Sequence, residues 1–354
     1  MNPLIDRARV AGLLAAVAVL AACGGGTPRG QGLWVANGAN VVEFTPAQRM
    51  AGSSSPTPHL ANNSGVFGAP QGVVFDGAGA LWVIDGGTVA AGGTINPALH
   101  KFSPSQLAAL ATNGAPDPSV TLAAPGFKFP QQAVFNVDGS LWVTDNGANA
   151  VYVFANTQLN ASSTTLAPAI TITSNPAFNG PLGIAFDAQG DLFIANNATT
   201  TIFKFSAGAL PTKSGSYELT PSVVLSDNGQ GSIQGPWGLA FDAVGNLWSS
   251  NANAPNTVVQ FAASVLGATG SPTPAVTLVP TAVGANLSLV APNGIAFDDA
   301  GDLAAISADA PFGAAIFGRP QLATGGAVPP AVFLVGAGTT LNAPAGCVYG
   351  PEVD

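Results

Sequence analysis

Six polar side chains recur at one position of a repeated pattern in this chain, and together they would form a ring of oxygen atoms. Each ends a short apolar stretch that is predicted to be a strand; the six are Asn37, Asp85, Asp145, Asn196, Asn251 and Ser307. Oxygen-bearing side chains that meet around one rim suit a cation or a sugar, so the Asn and Asp residues are candidate ligand-binding residues. The same residue types at a strand end also hydrogen-bond the following turn, and their recurrence in every repeat favours that structural role.

A second candidate position is the residue that follows the proline at the start of each repeat, because its identity varies. In chain order it is Gln71, Gln131, Leu182, Trp237, Asn293 and Ala345. Variation at one structural position is typical of a site built on a repeat, so we predict that the two glutamines, Asn293 and Trp237 contribute to ligand binding. An exposed indole at Trp237 would stack on a sugar or an aromatic ligand, whereas a buried one would plug a central channel; the sequence leaves both open.

Both positions belong to one repeated phrase: Pro-x-Gly, two apolar residues, Phe-Asp, a glycine turn, Leu-Trp-Val, Asp or Asn, and an apolar run that ends in Phe. Copies, one of them degenerate, begin at Pro70, Pro130, Pro181, Pro236 and Pro292. Each copy holds four strand patterns; the first is apolar throughout, and the fourth begins with a proline that suits a sheet edge. A period of roughly fifty residues in a β-rich chain predicts a propeller or a similar array.

The two ends of the chain each carry one part of a sixth copy. Residues 344–349 match the first strand, residues 33–44 supply the second and third strands, and residues 58–60 echo the fourth. We therefore predict an all-β, six-bladed β-propeller of four-stranded antiparallel blades over residues 31–354. It is closed by pairing the C-terminal strand with the N-terminal blade, which removes the free sheet edge of a linear array. Four tryptophans share one strand position and are predicted to pack between blades: Trp34, Trp82, Trp142 and Trp248.

The repeated phrase resembles the NHL repeat, and the resemblance covers almost the whole chain after residue 30. NHL propellers share their architecture, but not one function, with gluconolactonase-type and virginiamycin-lyase-type propellers. The first enzyme type implies a metal held by a glutamate on an inner strand, and the second implies a catalytic histidine near the axis. In this chain the glutamates and histidines fall at other positions of the repeat: Glu43, Glu218, Glu352, His59 and His100.

The sequence therefore predicts a binding or interaction propeller without catalytic residues, whose ligand is a neutral polar molecule, a glycan or a partner protein segment. The alternative is a metal-dependent lactonase, hydrolase or lyase of the gluconolactonase-like type, which would use Asp85 and Asp145. We expect no cofactor, with a divalent cation such as calcium left open, and we expect a monomer. The net charge is −9 and the nine Lys and Arg residues are scattered, so no basic stripe for nucleic acid exists.

The first 22 residues are predicted to be a lipoprotein signal peptide. Two arginines precede an apolar segment, residues 10–19, that is shorter than the span of about 20 residues that a membrane helix needs. The following Leu20-Ala21-Ala22-Cys23 resembles the lipobox of bacterial lipoproteins. An ordinary signal peptide with an incidental cysteine is the alternative.

The lipobox resemblance implies that lipid is attached to Cys23 and that residues 23–30 form a flexible tether. Gly24 follows the cysteine, and the sorting rule of the lipoprotein family then implies the outer membrane. We predict a protein of the bacterial cell envelope that faces the periplasm or the surface and meets the membrane only through this lipid. Cys347 then has no disulfide partner and is predicted to be a small buried core residue.

Overall fold

The structure is a computed structural model that describes residues 31–51, 65–90, 93–110 and 116–351. These residues form six main β-sheets that follow one another around an axis, and we number these blades 1 to 6 from the one that joins the chain ends. The six-bladed all-β propeller predicted from the repeat is confirmed. The predicted signal peptide, the tether and Cys23 lie outside the described residues.

Blades 2 to 6 each run outward from the axis through an inner, a second, a third and an outer strand, and the described residues of blade 1 supply the first three of these. The inner strands of blades 1 to 6 are Pro344–Pro351, Pro70–Phe75, Pro130–Phe135, Pro181–Phe186, Pro236–Phe241 and Pro292–Phe297. The second strands, in the same order, are Gln31–Asn37, Leu81–Asp85, Leu141–Asp145, Leu192–Asn196, Leu247–Asn251 and Leu303–Ser307. The third strands are Asn40–Phe44, Ala98–Phe102, Ala150–Phe154, Thr201–Phe205, Val258–Phe261 and Gly313–Phe317.

The outer strands of blades 2 to 6 are Val120–Leu122, Ile170–Ser174, Val223–Ser226, Val276–Leu278 and Val332–Val335. The outer-strand echo predicted for blade 1, residues 58–60, lies outside the described residues. Two small two-stranded hairpins lie outside the six main sheets. They are Thr88–Ala90 with Gly93–Ile95 and Ala282–Val283 with Asn286–Leu287.

Short helices connect some of the strands. The α-helices are Pro46–Ala51, Pro104–Ala108 and Arg319–Thr324. The 3-10 helices are Asn156–Gln158, Asn197–Thr199, Ala207–Ala209, Ala263–Val265 and Ala337–Thr339. Within the described ranges, no helix combines the length and the apolar character needed to cross a membrane.

The ring closes as the split sixth repeat predicts. Pro344–Pro351 pairs antiparallel with Gln31–Asn37, with Leu33 opposite Tyr349 and Val35 opposite Cys347. Because the closing pair lies within residues 31–351, a chain that lacks the residues up to Cys23 still contains the whole ring.

The core of the propeller lies between blades. Six large hydrophobic clusters occupy the six interfaces between neighbouring blades. At five interfaces an aromatic ring of the second strand meets the phenylalanine of the next inner strand edge to face, with ring centroids 5.1 to 6.3 Å apart. These pairs are Trp34–Phe75, Trp82–Phe135, Trp142–Phe186, Phe193–Phe241 and Trp248–Phe297. The predicted packing of the four tryptophans between blades is thereby confirmed.

Connections between the third and outer strands link blades 3, 4, 5 and 6 each to the blade before it. The connection of blade 4 forms an extra strand, Gly215–Leu219, that pairs in parallel with the outer strand of blade 3. In three other pairs of blades, a single parallel bridge joins the outer strand to the connection of the following blade. These bridges are Leu122 with Ser163, Leu225 with Gly270, and Leu278 with Gly326. These links cover outer strands that would otherwise present unpaired backbone groups to another chain.

Candidate functional site

The six residues of the predicted oxygen ring lie at one edge of the propeller, which we call the strand-end face. Each is paired with the proline that starts its inner strand. The pairs are Asn37–Pro344, Asp85–Pro70, Asp145–Pro130, Asn196–Pro181, Asn251–Pro236 and Ser307–Pro292. All six polar side chains are completely buried, with no exposed surface.

The two carboxylates of this ring accept hydrogen bonds from the loop that precedes their own inner strand and from the turn that follows their own second strand. The oxygens of Asp85 accept from the backbone N–H groups of Gly68 at 2.8 Å, Ala69 at 2.7 Å and Gly87 at 2.9 Å. Asp145 repeats this pattern with three loop N–H groups at 2.8 to 2.9 Å. Each aspartate thus fastens the entrance of the inner strand to the end of the second strand.

The neutral side chains of the ring also accept hydrogen bonds from the loop before their own inner strand, but each has one acceptor oxygen instead of two. The Oδ1 atoms of Asn196 and Asn251 accept from the N–H groups of Asn179 and Gln234, and that of Asn37 accepts from Asn342 at 2.9 Å. The hydroxyl of Ser307 accepts from Val290 at 3.2 Å and donates to Ser288. The ring therefore stabilises the loops of the strand-end face, and ligand binding by these side chains stays a prediction.

The residue after each starting proline lies in a backbone irregularity that turns it toward the axis. In five of the six blades the second and third residues of the inner strand together face one residue of the second strand, which is the arrangement of a β-bulge. In blade 2 the register also shifts at this point, between Pro70 and Gly72. Bulges re-aim side chains, and three of the variable residues, Leu182, Trp237 and Ala345, meet one another near the axis.

Trp237 fills the axis at this level. It lies in blade 5 and packs with Leu182 of blade 4 and with Ala345 of blade 1, although blade 6 separates blades 5 and 1. Only 7% of its surface is exposed. Of the two interpretations that the sequence left open for Trp237, the structure supports the channel plug, and only an edge of the indole is left for a ligand.

The remaining variable residues carry the amides of Gln71, Gln131 and Asn293. Gln71 and Asn293 are partly exposed, whereas only 3% of the surface of Gln131 is exposed. The Gln71 amide donates to the carbonyl of Ala69 at 3.2 Å. We call the surface formed by these amides and the edges of Leu182, Trp237 and Ala345 the axial mouth.

Gln132 is an axial residue that the sequence analysis did not single out. It occupies the third position of its inner strand, where the other five blades have glycine, and its Nε2 donates to the carbonyl of Gln71 in the preceding blade at 2.8 Å. Room for this side chain exists because the residues that face it are glycines: a Cβ on Gly346 would lie 2.6 Å from this amide nitrogen, and a Cβ on Gly72 would lie 3.1 Å from it. The departure of blade 3 from the repeated phrase was the signal that could have revealed it.

Hydroxyl groups opposite two of the bulges join neighbouring blades and were also missed. Thr144 Oγ1 donates to the carbonyl of Leu182, and Ser250 Oγ donates to the carbonyl of Asn293. Ser250 also accepts the N–H of Gly238 at 2.8 Å. A Thr or Ser inside an otherwise apolar second strand was the available signal, and these groups hold the inner strands in register around the mouth.

The histidine and glutamate residues stand where the repeat positions suggested. His100 lies on the third strand of blade 2, with Nε2 3.6 Å from Asp85 Oδ2 and its ring against Phe67. Glu218 lies on the extra strand at the outer edge of blade 3. His59 and Glu352 are outside the described residues. Within the part of the chain that is described, no three His, Cys, Asp or Glu side chains come together as a metal site.

Cys347 lies in the closing strand and is buried in the cluster between blades 6 and 1. Burial raises the pKa of its thiol far above the usual range, because the thiolate loses its hydration. The predicted role of a small core residue is confirmed.

Solved structures with folds similar to this chain come from proteins of different kinds. A chain of a nidogen/laminin complex has a TM-score of 0.58 at 13% identity, covering 91% of this chain and 98% of that chain. A putative 6-phosphogluconolactonase from Bacteroides fragilis has a TM-score of 0.55 at 12% identity, covering 92% and 99%. A protein of unknown function from Bacteroides caccae has a TM-score of 0.54 at 10% identity, covering 91% and 100%.

At these identities the likeness shows the fold alone. These structures agree with the six-bladed β-propeller that the sheets of this chain form. No protein-family model matches the sequence, and no curated protein matches it by sequence.

Proposed function

We propose that this chain is a binding propeller whose ligand, an uncharged polar molecule, a glycan or a segment of a partner protein, docks on the axial mouth. The observation that carries the proposal is the composition of that mouth. Around the ring, the amide side chains of Gln71 and Gln131 are neighbours, Leu182 and Trp237 follow them, and Asn293 and Ala345 complete the circle. Such a surface offers hydrogen bonds without charge next to apolar contact, which is how small polar ligands are oriented in protein sites.

The mouth is rigid enough to serve as a site. Its backbone is held by the bulged inner strands, by the loop hydrogen bonds of Asp85 and Asp145, and by the bridge from Ser250 to Asn293. A surface that is already ordered loses little conformational entropy when a ligand binds.

We further propose that the propeller is held at a bacterial cell envelope, in the outer membrane, by a lipid on Cys23. The support is the lipobox-like Leu20-Ala21-Ala22-Cys23 after an apolar segment of signal length. Mass spectrometry of the mature protein tests this directly: a lipid thioether on an N-terminal Cys23 is expected, and Cys23→Ser should leave the membrane fraction. An unmodified Cys23 would contradict the proposed lipid anchor.

The binding proposal is tested with the chain from Gly24 onward on arrays of uncharged glycans and of peptides from envelope proteins. For the ligand retained by the wild type, Gln71→Ala and Asn293→Ala should each weaken affinity by about tenfold, the effect of one lost hydrogen bond. Ser216→Ala, an exposed residue at the outer edge of blade 3, is the matched control and should change nothing. Equal affinity in all variants would move the site away from the mouth.

A further inference from the structure

In each third strand, the residue directly before the closing phenylalanine faces a gap between neighbouring blades, which we call the wedge. The wedge lies at the hairpin edge of the propeller, where the inner and second strands are joined. This edge is opposite the strand-end face. In blade 2 the wedge is filled by Lys101, whose Nζ lies 3.1 Å from Asp76 Oδ2 and 5.2 Å from the centre of the Trp82 ring. In blade 4 the wedge is filled by Lys204, whose Nζ lies 3.8 Å from Oδ2 of Asp187, the residue at the position of Asp76, and 2.7 Å from Oδ2 of Asp191. The same Nζ lies 5.3 Å from the centre of the Phe193 ring. In these blades an internal ammonium group occupies the space over the aromatic ring.

Blade 3 replaces both charged groups with uncharged ones. The lysine position holds Val153, and the position of Asp76 holds Asn136. The Trp142 indole, lacking a carboxylate partner, donates to the hydroxyl of Ser140 at 2.9 Å. Where the lysine would lie there is instead a cavity of about 600 Å³ between blades 3 and 4.

The inner and outer walls of this cavity are apolar. Trp142, Val153 and Ile170 of blade 3 form one side, and Leu210 and Pro211 of blade 4 form the other. Val137 stands fully exposed at the opening. The walls thus offer apolar contact to a ligand that enters from solvent.

The rim of the cavity is polar and carries one charged group. Its uncharged groups are three amides and three hydroxyls, those of Asn136, Asn156, Gln189, Thr157, Thr212 and Ser214. The one carboxylate, Asp138, already accepts from the backbone N–H and the hydroxyl of Ser140, at 2.9 and 2.6 Å. The hydrogen-bonding capacity offered to a ligand is therefore largely neutral.

The outer wall is fixed rather than a loose loop. Leu210 and Pro211 lead directly into Gly215–Leu219, which pairs in parallel with Ile170–Ser174 over five residues. The three other parallel contacts between such a connection and the preceding outer strand are single bridges. The longer connection of blade 4 supplies the wall, and its pairing holds that wall in place.

We propose that this cavity, which we call the blade 3–4 cleft, binds a short uncharged oligosaccharide. Its volume lies within the range of about 300 to 1,000 Å³ that is usual for small-molecule sites. The apolar C–H faces of a sugar suit the Trp142, Ile170 and Leu210 walls, and its hydroxyls suit the neutral amides of the rim. The cleft opens at the edge opposite the axial mouth, so this proposal does not depend on the proposed function.

The chain provides its own template for a variant that closes the cleft. Asn136→Asp combined with Val153→Lys rebuilds the lysine, carboxylate and aromatic arrangement of blades 2 and 4. The matched control is Gln260→Lys, the same position in blade 5, where Asp242 already supplies the carboxylate. Because two blades of the ring use this arrangement, both variants should fold with melting temperatures close to that of the wild type.

Binding is measured by calorimetric titration of the chain from Gly24 onward with maltotriose and with N,N′-diacetylchitobiose. At least one saccharide should bind the wild type and Gln260→Lys equally and should bind the double variant at least tenfold more weakly. Gln189→Ala and Asn156→Ala, both exposed at the rim, should weaken binding by about three- to tenfold without changing the melting temperature. Gln71→Ala, in the axial mouth, should leave it unchanged.

Two results would overturn the proposal. One is the absence of binding of either saccharide to the wild type at concentrations up to about 10 mM. The other is binding that persists in both the double variant and the rim variants. Binding that is lost in Gln71→Ala but kept in the double variant would instead place the sugar at the axial mouth, so the two proposals fail separately.

Discussion

Replacing Asp145 with alanine tests whether the ring on the strand-end face stabilises loops. The carboxylate is completely buried and accepts the N–H groups of Lys128, Phe129 and Ala148. Alanine leaves all three donors without an acceptor beneath the loop. A buried donor without a partner costs about 1 to 3 kcal/mol, and partial relaxation of the loop toward water favours the lower end, so we expect a loss of about 3 to 5 kcal/mol.

The loss translates into a modest but measurable change in melting temperature. With about 2 cal/mol/K of unfolding entropy per residue, a ring of roughly 320 residues unfolds with about 0.7 kcal/mol/K, so Asp145→Ala should lower the Tm by about 4 to 7 °C. Asp145→Asn keeps one acceptor oxygen, as at Asn196 and Asn251, and should fall between the wild type and the alanine variant.

The assay is differential scanning calorimetry of the chain from Gly24 onward at neutral pH. The control is Asp299→Ala, which removes the same charge from an exposed hairpin and should shift the Tm by less than about 1 °C. If Asp145→Ala and Asp299→Ala have the same Tm, the carboxylate of Asp145 does not hold the loop. A loss of ligand binding at unchanged stability would then restore the ring as a binding site.

Three further predictions follow from the inner strands, the core and the hairpins. Gly183→Ala should destabilise the ring by about 1 to 3 kcal/mol in urea unfolding, because its Cβ would collide with the carbonyl of Trp237; Gly267→Ala, in open space, should not. The Cys347 thiol should not react with a thiol reagent at pH 8 until the protein unfolds, and rapid native labelling would contradict its burial. Although burial alone raises the pKa of Asp242, hydrogen bonds from the Trp248 indole and from Asn246 outweigh it and leave the pKa below its usual value. A lowered pKa adds stability that is fully present above the ordinary aspartate range and is lost as the pH falls below about 4, so Asp242→Asn should flatten the decline of Tm measured between pH 5 and 3.

Structural features that arise from residues recurring in the repeats could be predicted from the sequence. The phrase from Pro70 recurs with its glycine turn, and the structure gives those turn glycines the positive φ that the pattern requires, as at Gly79 with +81°. The split repeat fixed the closing pair, with Leu33 opposite Tyr349. The shared position of the tryptophans indicated their packing, because a large apolar side chain repeated at one strand position must meet the neighbouring blade.

Features that depend on contacts between blades could not be predicted in the same way. The hydrogen bonds of Asp85 come from Gly68 and Ala69, which carry no repeated pattern, so its burial was not visible in the sequence. The bulge that turns Trp237 into the axis arises from the close approach of six inner strands, which a single repeat does not show. The sequence shows that Val153 stands where blade 2 has Lys101. Only the structure shows that Lys101 fills the space between blades, so the sequence alone could not reveal the cleft that its absence leaves in blade 3.

The central claim, that ligands dock on the axial mouth, is tested most directly by hydrogen–deuterium exchange with and without the ligand selected on the arrays. Protection confined to the peptides around Gln71, Gln131 and Asn293 on the strand-end face is the result that we predict. Protection elsewhere on the ring with none at these inner-strand starts would contradict the claim, as would a bound metal accompanied by turnover of a lactone.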